Sequence, residues 1–181
     1  MFSIFTKKKI TEETLANIFV NGIIKLVEDG FPELADMINN DPEFQTSPKL
    51  LKENYDKFLL IVFTGNLSFL PDHFNAVEQM KMQDRIYAKF SSAIGLSKAE
   101  LKACVSKNSQ LFYTLNHPSK NVKYAMSKAF FHQYELYNFQ DNYFRKMRVP
   151  NPILLKRLND VIETFVWDWD NMFKRYRAVF T

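Results

Sequence analysis

Residues 151–180 read NPILLKRLNDVIETFVWDWDNMFKRYRAVF. Asn151 is a capable N-cap with Pro152 at the first helical position, where its missing N–H costs nothing. From there Leu155, Leu158, Ile162, Phe165, Trp169, Met172, Tyr176 and Val179 recur at alternating spacings of three and four, the seam of a helix packed in coiled-coil fashion. Val166 and Phe173 widen the stripe on one side. The spacing predicts one long amphipathic helix over 151–180, and a stripe this wide needs more than one neighbour, as in a helical bundle. At about 100° per residue, with Trp169 at the centre of the seam, Trp167 points roughly 160° away. It then falls among Asp160, Glu163, Asn171 and Lys174. A Trp on a charged face calls for a cover. That cover is either another part of the chain, such as the apolar residues 1–5, or a partner anchored on the indole. Trp167, Asp160, Glu163, Asn171 and Lys174 are therefore the candidate interface.

Working outward, the other segments read as helices too. Thr11 with Glu12 and Glu13 opens one that carries Leu15, Ile18, Phe19, Ile23, Leu26 and Val27 and stops at Gly30. A short turn begins at Pro32, a loop covers 39–46, and Ser47-Pro48 opens a helix whose later part, Phe58 to Phe63, is apolar on every face. Asp72 is expected to cap a helix reaching Ile94, closed by Gly95. Ser97 and Glu100 form a capping box for the next, with Asn108-Ser109 as an interruption. A further helix is expected over 121–147, ended by Val149-Pro150-Asn151-Pro152. The fold class is all-α: a single domain over 1–181, a bundle of about six main helices with mostly antiparallel neighbours, and residues 1–10 at most a loosely ordered arm.

The chain has 181 residues, 46% of them hydrophobic and 15% aromatic, with 18 Phe, 8 Tyr and 2 Trp. That supplies core enough to fold without disulfide or metal. Cys104 is the only cysteine, which favours a reducing, cytoplasmic setting. No long uncharged stretch suits a membrane span, so no membrane partner is expected. The net charge of +4 is uneven: residues 1–60 carry −3, 61–120 carry +3 and 121–181 carry +4. Arg145, Lys146, Arg148, Lys156 and Arg157 flank the turn between the last two predicted helices. Basic residues interleave with aromatics there, but lysines and arginines in a helix's last turn also suit its dipole, and no basic recognition helix is present. Nucleic acid is disfavoured as a partner.

No catalytic pattern emerges. His73, His117 and His132 lack metal-ligand spacing, and His132 with Glu135 at i, i+3 has no identifiable partners, so no metal or cofactor is assigned. Cys104 has no flanking base, no nucleophile elbow occurs, and four scattered glycines form no phosphate cradle. The reading leans away from an enzyme. Phe130, Tyr134, Tyr137 and Phe144 share one face of the 121–147 helix, with more aromatic surface around it than one seam needs. They are the candidate lining of an inter-helical cavity for a small apolar or aromatic ligand. The leading function is a non-enzymatic module acting through a protein partner or a homodimer, with binding of a small apolar or aromatic ligand as the first alternative and nucleic-acid binding or an enzyme with a dispersed site as the second.

Overall fold

The computed structural model describes residues 7–117 and 119–181. The fold is all-α: helices dominate, and the sheet among the described residues has two short strands. The elements are β1 (Lys8–Thr11), α1 (Glu12–Asn39), α2 (Asp56–Leu67), α3 (Ala76–Ile94), α4 (Lys98–Asn116), α5 (Val122–Gln133), α6 (Asn142–Met147), α7 (Pro152–Ile162), α8 (Trp169–Arg175) and β2 (Tyr176–Val179). Tight 3₁₀ turns at Leu70–Asp72, Leu136–Phe139 and Glu163–Phe165 join several of them. No helix among the described residues is long and apolar enough to cross a membrane.

α2 is the axis of the core, packed by α1, α4 and α5, which is why its sequence is apolar on every face. Phe58 is its hub. Its ring meets Phe31 of α1 at 5.5 Å, Phe130 of α5 at 5.4 Å and Phe165 of the C-terminal segment at 4.8 Å. Phe63 stacks on Phe90 of α3 at 3.8 Å.

Where capping is local, the elements start and stop as the sequence predicts. Thr11 caps α1, the Ser97 and Glu100 box opens α4, and Gly95 closes α3 in the left-handed conformation. Elsewhere long-range contacts redraw the boundaries. α1 does not stop at Gly30 but runs through Pro32, because Phe31, Leu34, Ala35 and Ile38 continue its buried stripe and outweigh the roughly 3 kcal/mol cost of an internal proline. Ser47-Pro48 does not open a helix. The side-chain amide of Asn39 takes both backbone groups of Leu50, at 2.7 and 2.9 Å, and Lys49 turns left-handed. α2 begins only at Asp56, its third N–H donating to the Tyr134 hydroxyl. Asn75, not Asp72, caps α3 through a capping box with Glu78. Asn108 does not interrupt α4: it is buried, and its amide bridges Thr64 and Gln133.

The two longest predicted helices are also divided. The 121–147 stretch breaks after Gln133, where Glu135 adopts positive φ, and Asp141 caps the separate α6. The 151–180 stretch breaks into α7, α8 and β2, with Val166 extended between them and Asp168 capping α8. β2 lies parallel to β1, Lys8 opposite Tyr176 and Thr11 opposite Val179. Part of the expected loose arm is thus a strand; residues 1–6, including the apolar start proposed to cover Trp167, lie outside the described residues.

Candidate functional site

The break in the C-terminal segment is held from below by one side chain. Asn66 of α2, fully buried, donates to the carbonyls of Val62 and Phe165 at 2.9 Å each and accepts the N–H of Trp167 at 2.7 Å. Those bonds satisfy the backbone that an uninterrupted helix satisfies internally, so Val166 can extend. The local residues agree: β-branched Thr164 and Val166 weaken a helix, and the Asp168 carboxylate binds the N–H of Asn171 at 2.9 Å and starts a new one.

Extension at Val166 changes where the tryptophans point. Both face α1 and share Phe19: Trp169 stacks on it at 5.1 Å, and Trp167 meets it edge-on at 5.9 Å. Trp169 is a core residue, as the seam predicts. Trp167 is half-buried, lying over Gly22, where a Cβ would come within 2.2 Å of its Cζ3. Eight residues on, Phe165 covers Gly30 in the same way, at 2.8 Å. The 160° separation expected of one helix does not apply, because no single helix carries both residues.

Beside this contact α1 and the segment 164–176 leave an open groove of about 680 Å³. Ile18, Leu26, Val166, Trp167 and Met172 form its apolar surfaces, and Lys25, Asp29, Glu33, Asp168 and Arg175 its charged lips. Asp29 sits 2.9 Å from Lys25 and holds that ammonium protonated beyond its ordinary range. Of the candidate interface residues, Trp167 and Asn171 line the groove. Asp160, Glu163 and Lys174 are exposed outside it, with Glu163 paired to Lys123. The α1 wall escapes sequence reading because Gly22 and Gly30 resemble helix-weakening residues when their partners are more than a hundred positions away.

The four aromatics of the other candidate site do not gather around one space. Phe130 is fully buried with the Tyr134 ring at 4.7 Å, while Tyr137 lies beside Phe131 and His132, and Phe144 packs edge-on to Tyr143 of α6. The break between α5 and α6 separates them. The Tyr134 hydroxyl already donates to the Asn54 carbonyl at 2.7 Å and accepts the Phe58 N–H at 3.2 Å. Burial pushes its ionisation far above the usual tyrosine range. Its polar end serves α2.

His132 and Glu135 likewise fall on either side of the break, and burial together with the nearby Arg148 charge lowers the His132 pKa. Among the described residues no three His, Cys, Asp or Glu side chains cluster as metal ligands do. A second cleft, about 670 Å³, is polar, lined by Glu12, Lys81, Asp84, Arg85, Lys102 and Thr181. Backbone hydrogen bonding, then the Thr181 hydroxyl and the Arg85 charge, hold the Glu12 carboxyl below its ordinary value against its desolvation. No family model, no curated protein and no solved structure matches the chain.

Proposed function

We propose that this chain is a non-enzymatic binding module whose recognition surface is the groove between α1 and residues 164–176, and that its partner is an amphipathic helix of another protein. The observation that carries this reading is the shape of the α1 wall. Its lining residues run from Ile18 to Glu33, fifteen helical steps or about 22 Å. A trough four turns long with an apolar floor and charged lips suits the helix-in-groove mode, in which apolar anchors at i, i+3, i+4 and i+7 enter the floor. Trp167 offers a large, low-entropy contact surface in it. The indole is braced on Gly22 and its backbone is tied to Asn66, so little ordering cost falls on binding.

A second reading, a small apolar ligand in the same groove, is favoured by its volume, which lies in the range of small-molecule sites. The two separate experimentally. A photo-reactive amino acid at Leu26 is expected to give one discrete protein adduct in cells, lost when Trp167→Ala is added. A synthetic peptide of the captured segment then shifts the tryptophan emission. No adduct, or equal capture from a control position at the exposed Ser106, overturns the reading. An adduct of twice the 21.4 kDa chain mass identifies a second copy as the partner. A small molecule retained in native mass spectrometry, without any adduct, selects the ligand.

A further inference from the structure

The groove leaves unexplained a second surface, the corner where α6 turns into α7. From 142 to 159 the sequence has five basic residues, Arg145, Lys146, Arg148, Lys156 and Arg157, and no acidic one. Among the described residues only Arg157 is committed to a carboxylate there, gripping buried Asp41 with two hydrogen bonds at 2.6 and 2.8 Å. Among the described residues Arg145, Lys146, Arg148 and Lys156 form no ion pair, and all four are exposed. Arg145 bonds the Asn142 amide, and Arg148 lies over the Tyr137 ring. Two carboxylates beside the corner are engaged elsewhere. Asp141 caps α6, and Glu43 accepts the Asn151 amide.

The same corner exposes apolar side chains that a helical bundle ordinarily hides: Tyr143 at 66%, Met147 at 54%, Val149 at 36% and Ile153 at 55%. Tyr143 and Met147 stand one turn apart on the same face of α6. The loop that follows is held rigid. The buried Gln140 amide donates to the Val149 carbonyl and accepts the Asn151 N–H, both at 2.7 Å, while Arg148 takes the left-handed conformation that ends α6.

We propose that this corner docks the protein on an anionic lipid bilayer, with Met147, Val149 and Ile153 entering the headgroup–acyl boundary, Tyr143 at its level and the four free cations on the lipid charges. Three aliphatic tips gain nothing from a phosphodiester backbone, and Tyr143 is the one aromatic ring of the corner exposed enough to stack on a base, so a nucleic acid uses the charges and wastes the apolar residues. A bilayer interface uses both, and an element held rigid beforehand loses little freedom on insertion. This departs from the expectation of no membrane partner, which rested on the lack of a spanning segment; docking needs none.

The test is co-sedimentation with vesicles of phosphatidylcholine, alone and mixed with phosphatidylserine. The protein is expected to bind the mixed vesicles and not the neutral ones. Lys146→Ser/Lys156→Ser should weaken binding about twenty-fivefold, at about fivefold per charge. Met147→Ser/Ile153→Ser should weaken it as well, leaving the salt dependence unchanged, while Lys107→Ser/Lys120→Ser on another face should have no effect. All these positions are exposed, so melting curves are expected to match the parent's. No sedimentation, equal binding to neutral vesicles, or undiminished binding of Met147→Ser/Ile153→Ser overturns the proposal.

Discussion

A methyl group added at Gly30 meets the Phe165 ring at 2.8 Å, and one at Gly22 meets the end of the Trp167 indole at 2.2 Å. The shorter contact is the cheaper. Trp167 is half-buried with the groove open beside its ring, so an added methyl can displace it outward, whereas Phe165 is buried and locked edge-on against Phe58 at 4.8 Å. Alanine also gains up to about 1 kcal/mol of helix propensity at either position. Gly30→Ala is therefore expected to lose about 1–3 kcal/mol to overpacking. Gly22→Ala should lose less while shifting tryptophan emission to the red as Trp167 lifts. Urea titrations followed by fluorescence measure both. A larger loss at Gly22, or no spectral change there, contradicts this packing.

At the level of elements, legibility follows the range of the interactions that decide each boundary. Thr11, Ser97 with Glu100, and Gly95 act within a turn of themselves, and a single sequence displays them. The seam residues Leu158, Ile162, Phe165, Trp169 and Met172 are also buried as their spacing predicts. The break among them is invisible in that spacing, because Asn66, a hundred residues upstream, supplies the competing hydrogen bonds. Asn39 plays the same role against a helix at Ser47. The candidate site suffered most from this. Trp167 is legible as an unusual residue on a polar face that includes Asn171, but the opposing wall on α1 depends on the break. Asn66→Ala leaves the Phe165 carbonyl and the Trp167 N–H unsatisfied, so a loss of about 2–4 kcal/mol is expected. Amide exchange at Trp167 should accelerate more than exchange within α4. Uniform acceleration shows instead that Asn66 supports the core at large and does not pin the break.

Across the whole molecule the chain closes on itself. β1 leads directly into α1 at Glu12, and β2 is followed by Thr181, whose hydroxyl donates to Glu12 at 3.3 Å while its carbonyl accepts Lys81 at 2.8 Å. Four residues of parallel pairing carry no sequence signal alone, since Tyr176–Val179 continues a helix-like pattern and Lys8–Thr11 reads as part of a loose arm until the two are brought together. Carboxylates at this closure and elsewhere on the surface make stability depend on acid in a defined direction. Hydrogen bonding at Glu12, Lys89 beside Glu13, Lys98 beside Asp84 and Ser97 at Glu100 all lower carboxyl pKa values. A group whose folded pKa is depressed contributes stability that is complete above its unfolded value and disappears as the pH falls through the folded one. For the glutamates that loss begins below 4.5. His132 acts in a higher window: its folded pKa lies below 6.5, so the unfolded chain takes the proton first and stability already declines beneath that value. The melting temperature, followed from about pH 7 down to about pH 3, is therefore expected to fall in two stages. His132→Gln should remove the upper stage alone. Glu12→Gln should lower the melting temperature at neutral pH and converge on the parent protein in acid, whereas a constant offset at every pH means that Glu12 serves the clasp by packing and not by charge.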